Sequence, residues 1–159
     1  MGKRLAALLL VVSLGVVAAG CGGGGGPTSK ADYQKQMRAL GQELSSSFSS
    51  LGNAKPTDAK GSAALLDKLA DGLDTAGDKL DAINPPADAA DTHQQLVDGA
   101  HEAADEFRDL AKKVENAKLS ELPTLLGQLN PATLAGFKKM QDAVTELKAK
   151  GYQLGQFSS

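Results

Sequence analysis

Leu66-Asp67-Lys68-Leu69-Ala70-Asp71-Gly72-Leu73-Asp74-Thr75-Ala76-Gly77-Asp78-Lys79-Leu80-Asp81-Ala82-Ile83-Asn84-Pro85-Pro86 decides the fold. Leu66, Leu69, Leu73, Ala76, Leu80 and Ile83 recur at steps of three and four. That is the heptad spacing of a helix packed along its whole length. A strand would alternate every second residue and favour β-branched side chains, of which this stretch has only Thr75 and Ile83. Asn84-Pro85-Pro86 stops the helix, because proline has no N–H and disfavours helix in the residue before it.

The same periodicity continues on both sides. Downstream, Pro86 stands where a helix tolerates proline, and Asp88 and Asp91 suit the positive end of a helix dipole. His93, Leu96, Val97, Ala100, Ala103, Ala104, Phe107, Leu110, Ala111 and Val114 then form a stripe broad enough for two partners. Upstream, Ser29 and Asp32 have capping-box spacing, and Tyr33, Met37, Leu40, Leu44, Phe48 and Leu51 form one helical face. Residues 52–61, with Pro56, are the turn between these helices. Beyond a short leucine-rich segment (119–129), Asn130-Pro131 predicts the N-cap and first residue of a last helix. Its apolar face is Leu134, Phe137, Met140, Val144 and Leu147, and Gly151 is its stop. The expected fold is therefore all-α, an up-down bundle of about four helices over residues 30–151. Residues 152–159 are set apart as a tail from which Tyr152, Leu154 and Phe157 can dock. Gly41, Gly72, Gly77 and Gly99 lie inside helical patterns at about 1 kcal/mol each relative to alanine. Gly72 and Gly77 flank the leucine seam on opposite sides, where close helix approach would account for them, as would high genomic GC content.

Residues 1–20 read as an address rather than as fold. Lys3 and Arg4 precede an uncharged run from Leu5 to Gly20, which ends in Ala18-Ala19-Gly20 before Cys21. A positive start, an apolar stretch and a small-residue end make a secretory signal. The run is short for a permanent span, which needs about 20 apolar residues. Val17-Ala18-Ala19-Gly20-Cys21 resembles the lipobox of bacterial lipoproteins, although Ala18 stands where that family commonly has Leu. The resemblance implies cleavage before Cys21 and a diacylglyceryl group on its thiol. Gly22 in place of an aspartate implies no inner-membrane retention signal. The molecule would then sit on the outer face of the cell membrane, or on the outer membrane in a Gram-negative cell. Gly22–Gly26 with Pro27, Thr28 and Ser29 predicts a flexible tether over 21–29, with an r.m.s. reach of about 16 Å.

Composition closes off several functions. The chain has 159 residues, 42% of them apolar and 23% charged, with one cysteine and a formal charge of −2. A single cysteine excludes an internal disulfide framework and a Cys-based zinc site. The charge gives no reason to expect nucleic acid as a partner. No nucleophile elbow, P-loop or dinucleotide fingerprint is present, so no enzyme is expected and no catalytic residue is assigned.

Two constellations remain. Asp67, Asp71, Asp74, Asp78 and Asp81 form a carboxylate line roughly 145° from the leucine seam at about 100° per residue. It reads either as a solvated face or as a surface for a divalent cation or a basic partner. Residues 58–115 hold fourteen carboxylates against six basic side chains, so the middle of the chain is its acidic half. His93 and His101 are eight residues apart, about 12 Å along a helix, and cannot share a metal from one helix. His93 reads as a boundary histidine packed near Pro85-Pro86, and His101 as a surface residue. Met37 and His93, facing each other across a bundle, are the candidate ligand contacts for a haem or other small ligand.

Leu80-Asp81-Ala82-Ile83-Asn84-Pro85-Pro86-Ala87 with His93 resembles a pattern in small exported helical proteins and lipoproteins, especially of actinobacteria. The resemblance implies a helical hairpin at the two prolines and a structural role for His93, with no catalytic residues. The expected function is a membrane-anchored envelope lipoprotein acting as a non-catalytic interaction or binding module, with no cofactor assigned. Its partners would be the lipid bilayer, through the acyl chains, and an envelope protein. A carrier of a small ligand, metal or haem between the helices, and a structural spacer, are the alternatives.

Overall fold

The computed structural model describes residues 27–52, 56–118, 120–127 and 133–155. The leader, Cys21, the glycine run, Asn130-Pro131 and Phe157 lie outside these residues, as do the side chains of Phe48 and Leu51. Five helices form: α1 (Lys30–Gly52), α2 (Ala59–Asp81), α3 (Ala90–Glu115), α4 (Leu122–Leu126) and α5 (Ala135–Ala149). No strand occurs among the described residues. Four helices are long and the fifth, α4, is a little over one turn.

Cross-helix pairs fix the directions. Lys79 meets Glu43 between α2 and α1, and the Thr28 amide donates to the Asn84 carbonyl at 3.2 Å. Arg108 meets Asp71 while His101 meets Asp74, so α2 and α3 run antiparallel. Thr92 donates to Glu146, while Lys139 pairs with Glu102, so α3 and α5 do the same. The α2–α3 hairpin is the most extensively packed pair, with α1 and α5 laid against it.

Each helix end has an identifiable cause. The Ser29 hydroxyl accepts from the Asp32 amide at 3.2 Å and donates to the Asp32 carboxylate at 2.7 Å. Asp58 caps α2 by accepting from the Gly61 amide at 2.6 Å. Pro86 does not open α3, contrary to the sequence expectation. Its carbonyl accepts from Ala89 at 2.9 Å in a turn, and the helical ladder starts with His93 N–H on the Ala89 carbonyl. Asp88, expected to serve the α3 dipole, instead accepts the Tyr152 hydroxyl. Helix α5 likewise begins at Ala135, four residues later than Pro131. Its first amides find no side-chain cap on their own segment. Glu106 of α3 supplies one, accepting from Ala135 at 2.8 Å and Gly136 at 3.2 Å.

The far end of α5 is a Schellman motif. Tyr152 N–H donates to the Leu147 carbonyl at 3.0 Å and Gly151 N–H to Lys148 at 2.9 Å, with Gly151 at φ +80°. The chain then turns back over α1. Tyr152 and Leu154 are buried, and the Gln153 amide donates to the Gln34 side chain at 3.0 Å. Residues 152–155 are therefore a strap belonging to the core and not a tail, because the glycine stop aims two large apolar side chains inward.

The buried face of α2 is rotated from the seam read in the sequence. Leu66, Leu73, Ala76 and Leu80 are buried as expected, but Leu69 is half-exposed while Ala63 and Ala70 are fully packed. Small side chains let α3 approach there. The α3–α5 contact is closer still: a Cβ on Gly136 would lie 2.6 Å from the Gly99 carbonyl, and one on Gly99 would lie 2.9 Å from the Gly136 carbonyl. At Gly136 the three nearest atoms are all backbone, with nothing flexible to yield.

Gly136→Ala is expected to cost about 1–3 kcal/mol, since the helices must separate to admit one methyl. Gly72→Ala, with nothing within 4 Å of the added carbon, is expected to gain up to about 1 kcal/mol from helix propensity. Urea unfolding midpoints of the two variants check the pair, and equal shifts would contradict the packing.

Candidate functional site

His93 is 4% exposed and engaged at both nitrogens. Nε2 lies 2.9 Å from the Leu80 carbonyl, and Nδ1 lies 3.0 Å from the Tyr33 hydroxyl. A carbonyl only accepts, so Nε2 carries the proton and donates. Nδ1 therefore accepts from the phenol. One ring thus joins the end of α2 and the start of α1 to α3. Burial holds the His93 pKa below the usual histidine range, against the opposing pull of the Leu80 carbonyl and the Asp81 carboxylate. The imidazole is neutral at pH 7. Burial, with Tyr152 nearby, also pushes the Tyr33 phenol well above its ordinary value.

Around this pair the aromatic rings stand edge to face. Tyr33 and His93 have centroids 5.5 Å apart, and Tyr33 and Tyr152 are 5.4 Å apart. Burial, together with the 2.6 Å hydrogen bond its hydroxyl gives Asp88, pushes the Tyr152 phenol up to about 12. Met37 is fully buried in the same cluster. The structure thus brings Met37 and His93 to one end of the core. The only lone pair His93 could offer a metal is already taken by Tyr33. Using it as a ligand would strand the phenol.

The acidic line is partly neutralised from α3. Arg108 bonds Asp71 at 3.2 Å and also bonds Asp74. His101 Nδ1 lies 3.0 Å from Asp74, and its Nε2 is 4.0 Å from Asp78. Burial alone would raise the Asp74 pKa, but the hydrogen bonds from His101 and Arg108 prevail and hold it below the usual carboxylate range. Asp67 and Asp81 at the two ends of the line face solvent. Among the described residues no three His, Cys, Asp or Glu side chains converge to hold a metal ion.

His101 is not the plain surface residue expected from its polar flank. It is half-buried and lies over α2 at Gly77, where a Cβ would come within 2.6 Å of Nε2. Gly77 is therefore the notch that seats the ring. The sequence held a signal for these partners. His101 and Arg108 are seven residues apart on one face of α3, matching the spacing of Asp71 and Asp78 on the antiparallel α2.

Comparison of the chain with protein-family models, with characterised proteins and with solved structures gives no match in any of the three.

Replacing His93 by Ala is expected to cost about 2–4 kcal/mol, through a cavity and two unsatisfied hydrogen-bonding groups. Because the folded pKa is depressed, the contribution of His93 is complete above about pH 6.5 and is lost as pH falls through the folded value. Chemical denaturation at pH 7 and pH 5 should show a smaller loss for His93→Gln than for wild type. Calcium at millimolar concentration should leave Tm unmoved at matched ionic strength, because the carboxylates lie in a line and two are held by Arg108.

Proposed function

We propose that the protein is a lipid-anchored envelope protein whose mature chain begins at Cys21 and whose helical bundle is a non-catalytic binding or interaction module. The observation that carries this reading is the position of the one cysteine, directly after an uncharged apolar run that ends in Ala18-Ala19-Gly20. Two acyl chains hold a protein stably at about 0.8 kcal/mol per buried CH₂, whereas one chain does so only marginally. Anchoring at Cys21 asks nothing of the helices. In keeping with that division, no helix among the described residues is long and apolar enough to cross a membrane.

In this reading the bundle stands beside the outer leaflet, with the glycine run 22–26 as its leash. The short hydrogen-bonded link between Thr28 and Asn84 supports a point of attachment next to the Pro85-Pro86 turn. The end of the bundle carrying that turn is then the one nearest the lipid. The acidic α2–α3 hairpin is then a surface left for partners. The reading does not assign a metal or haem to Met37 and His93, since both nitrogens of the histidine serve the fold.

Cys21→Ala is expected to move the protein from the membrane fraction to the soluble fraction without changing its helical content. Mass spectrometry of the native polypeptide is expected to find an N-terminal cysteine carrying acyl chains. An unmodified thiol or an intact leader would overturn the proposal.

A further inference from the structure

Alongside α1 the C-terminal strap leaves a half-open cleft of about 440 Å³, lined by Arg38, Gly41, Gln42, Ser45, Ser46, Leu154 and Gly155. Its size falls within the range of about 300–1,000 Å³ typical of small-molecule sites. Leu154 gives it an apolar floor, being 1% exposed and fixed in the core. Among the described residues, Arg38 is the one charged side chain lining it. Arg38 is exposed, and the carbons of its stem lie beside Gly155, where a Cβ would sit 3.1 Å from Cγ. No carboxylate among the described residues pairs with its guanidinium. Glu43, the acid nearest to Arg38 toward the far end of α1, is engaged by Lys79 of α2. The Ser46 hydroxyl is committed to the Gln42 carbonyl at 3.0 Å, which leaves Gln42 and Ser45 as the polar side chains able to donate beside Arg38.

We infer that this cleft binds a small phosphate ester, with Arg38 as the charged donor and Gln42 and Ser45 beside it. A planar guanidinium matches phosphate oxygens two at a time. Two further donors within two helical turns suit a group with three free oxygens better than a carboxylate with two. The charge distribution agrees. Residues 58–115 carry eight more acidic than basic side chains, whereas 30–55 carry an excess of basic ones. An anion is repelled by the hairpin and drawn to α1.

The proposal deepens the binding-module reading but does not use the lipid anchor. The full chain in detergent, labelled with ¹⁵N, is titrated with glycerol 3-phosphate and separately with sodium chloride at matched ionic strength. Saturable shifts of the Gly41, Gln42, Ser45 and Gly155 amides, with Kd at least tenfold weaker in Arg38→Gln, are expected. Non-saturating shifts like those of the salt, or shifts unchanged in Arg38→Gln, overturn the site. Short-chain phosphatidic acid, a lipid whose headgroup is a phosphate monoester with the same three free oxygens, supplies the second arm. If it moves the same amides at lower concentration than glycerol 3-phosphate, the phosphate comes from a lipid headgroup; the reverse order places it on a free compound. Cys21→Ala leaves this titration unchanged, so a failure of the anchor and a failure of the cleft are read separately.

Discussion

A neutral imidazole sealed between three helices is the constraint around which the rest is arranged. His93 accepts from Tyr33 of α1 and donates to the carbonyl of Leu80 in the last turn of α2, while its own backbone begins α3. Charging the ring would place a cation among apolar side chains and turn its acceptor into a second donor. The fold therefore fixes both tautomer and protonation state. The surrounding tyrosines complete the enclosure: Tyr152 is held by Asp88 and stacks edge-on against Tyr33, so the strap after α5 closes the same end of the core.

A second layer of order comes from small residues that admit large neighbours. Gly77 admits the His101 ring over α2, and Gly99 with Gly136 admits one backbone against another. These contacts explain why glycines persist in helices that would be intrinsically more stable with alanine. Gly72 has no such neighbour, and nothing in the structure explains it. Around the notch at Gly77, Arg108 and His101 gather Asp71, Asp74 and Asp78 into a cross-helix network. Such a network offsets the repulsion that a line of like charges imposes on its own helix.

Periodicity made the helices legible, because an apolar stripe at steps of three and four fits a packed helix and little else. The Pro85-Pro86 hairpin and the Gly151 stop were legible for the same local reason: proline lacks a donor and glycine tolerates positive φ. Starts were harder. Helix α5 begins where Glu106 of α3 can receive its amides, and nothing local to Asn130-Pro131 encodes that long-range cap. The strap was half legible: Tyr152 and Leu154 stood out as able to dock, but apolar residues that follow a helix stop have no periodicity to mark their burial. Of the candidate residues, His93 was legible as structural from its place in an apolar stripe. The pairing of the carboxylate line was missed because it depends on which face of α3 turns toward α2. The cleft at Arg38 has no motif at all, being made by two segments more than a hundred residues apart.

The packing of α1 has a consequence for how the molecule comes apart. Among the described residues, the buried side chains of α1 (Tyr33, Met37 and Leu40) join the cluster near the two-proline turn, whereas α4 and the start of α5 pack on the cluster at the opposite end. One end is clamped by four elements and a strap. The other is capped by a five-residue helix and half-exposed Leu122, Leu125 and Phe137. Amide exchange in such a bundle is expected to be graded along its long axis, with the last protons to leave lying in the turns of α2 and α3 nearest His93, so that partial opening exposes apolar surface at one pole while the polypeptide stays folded at the other.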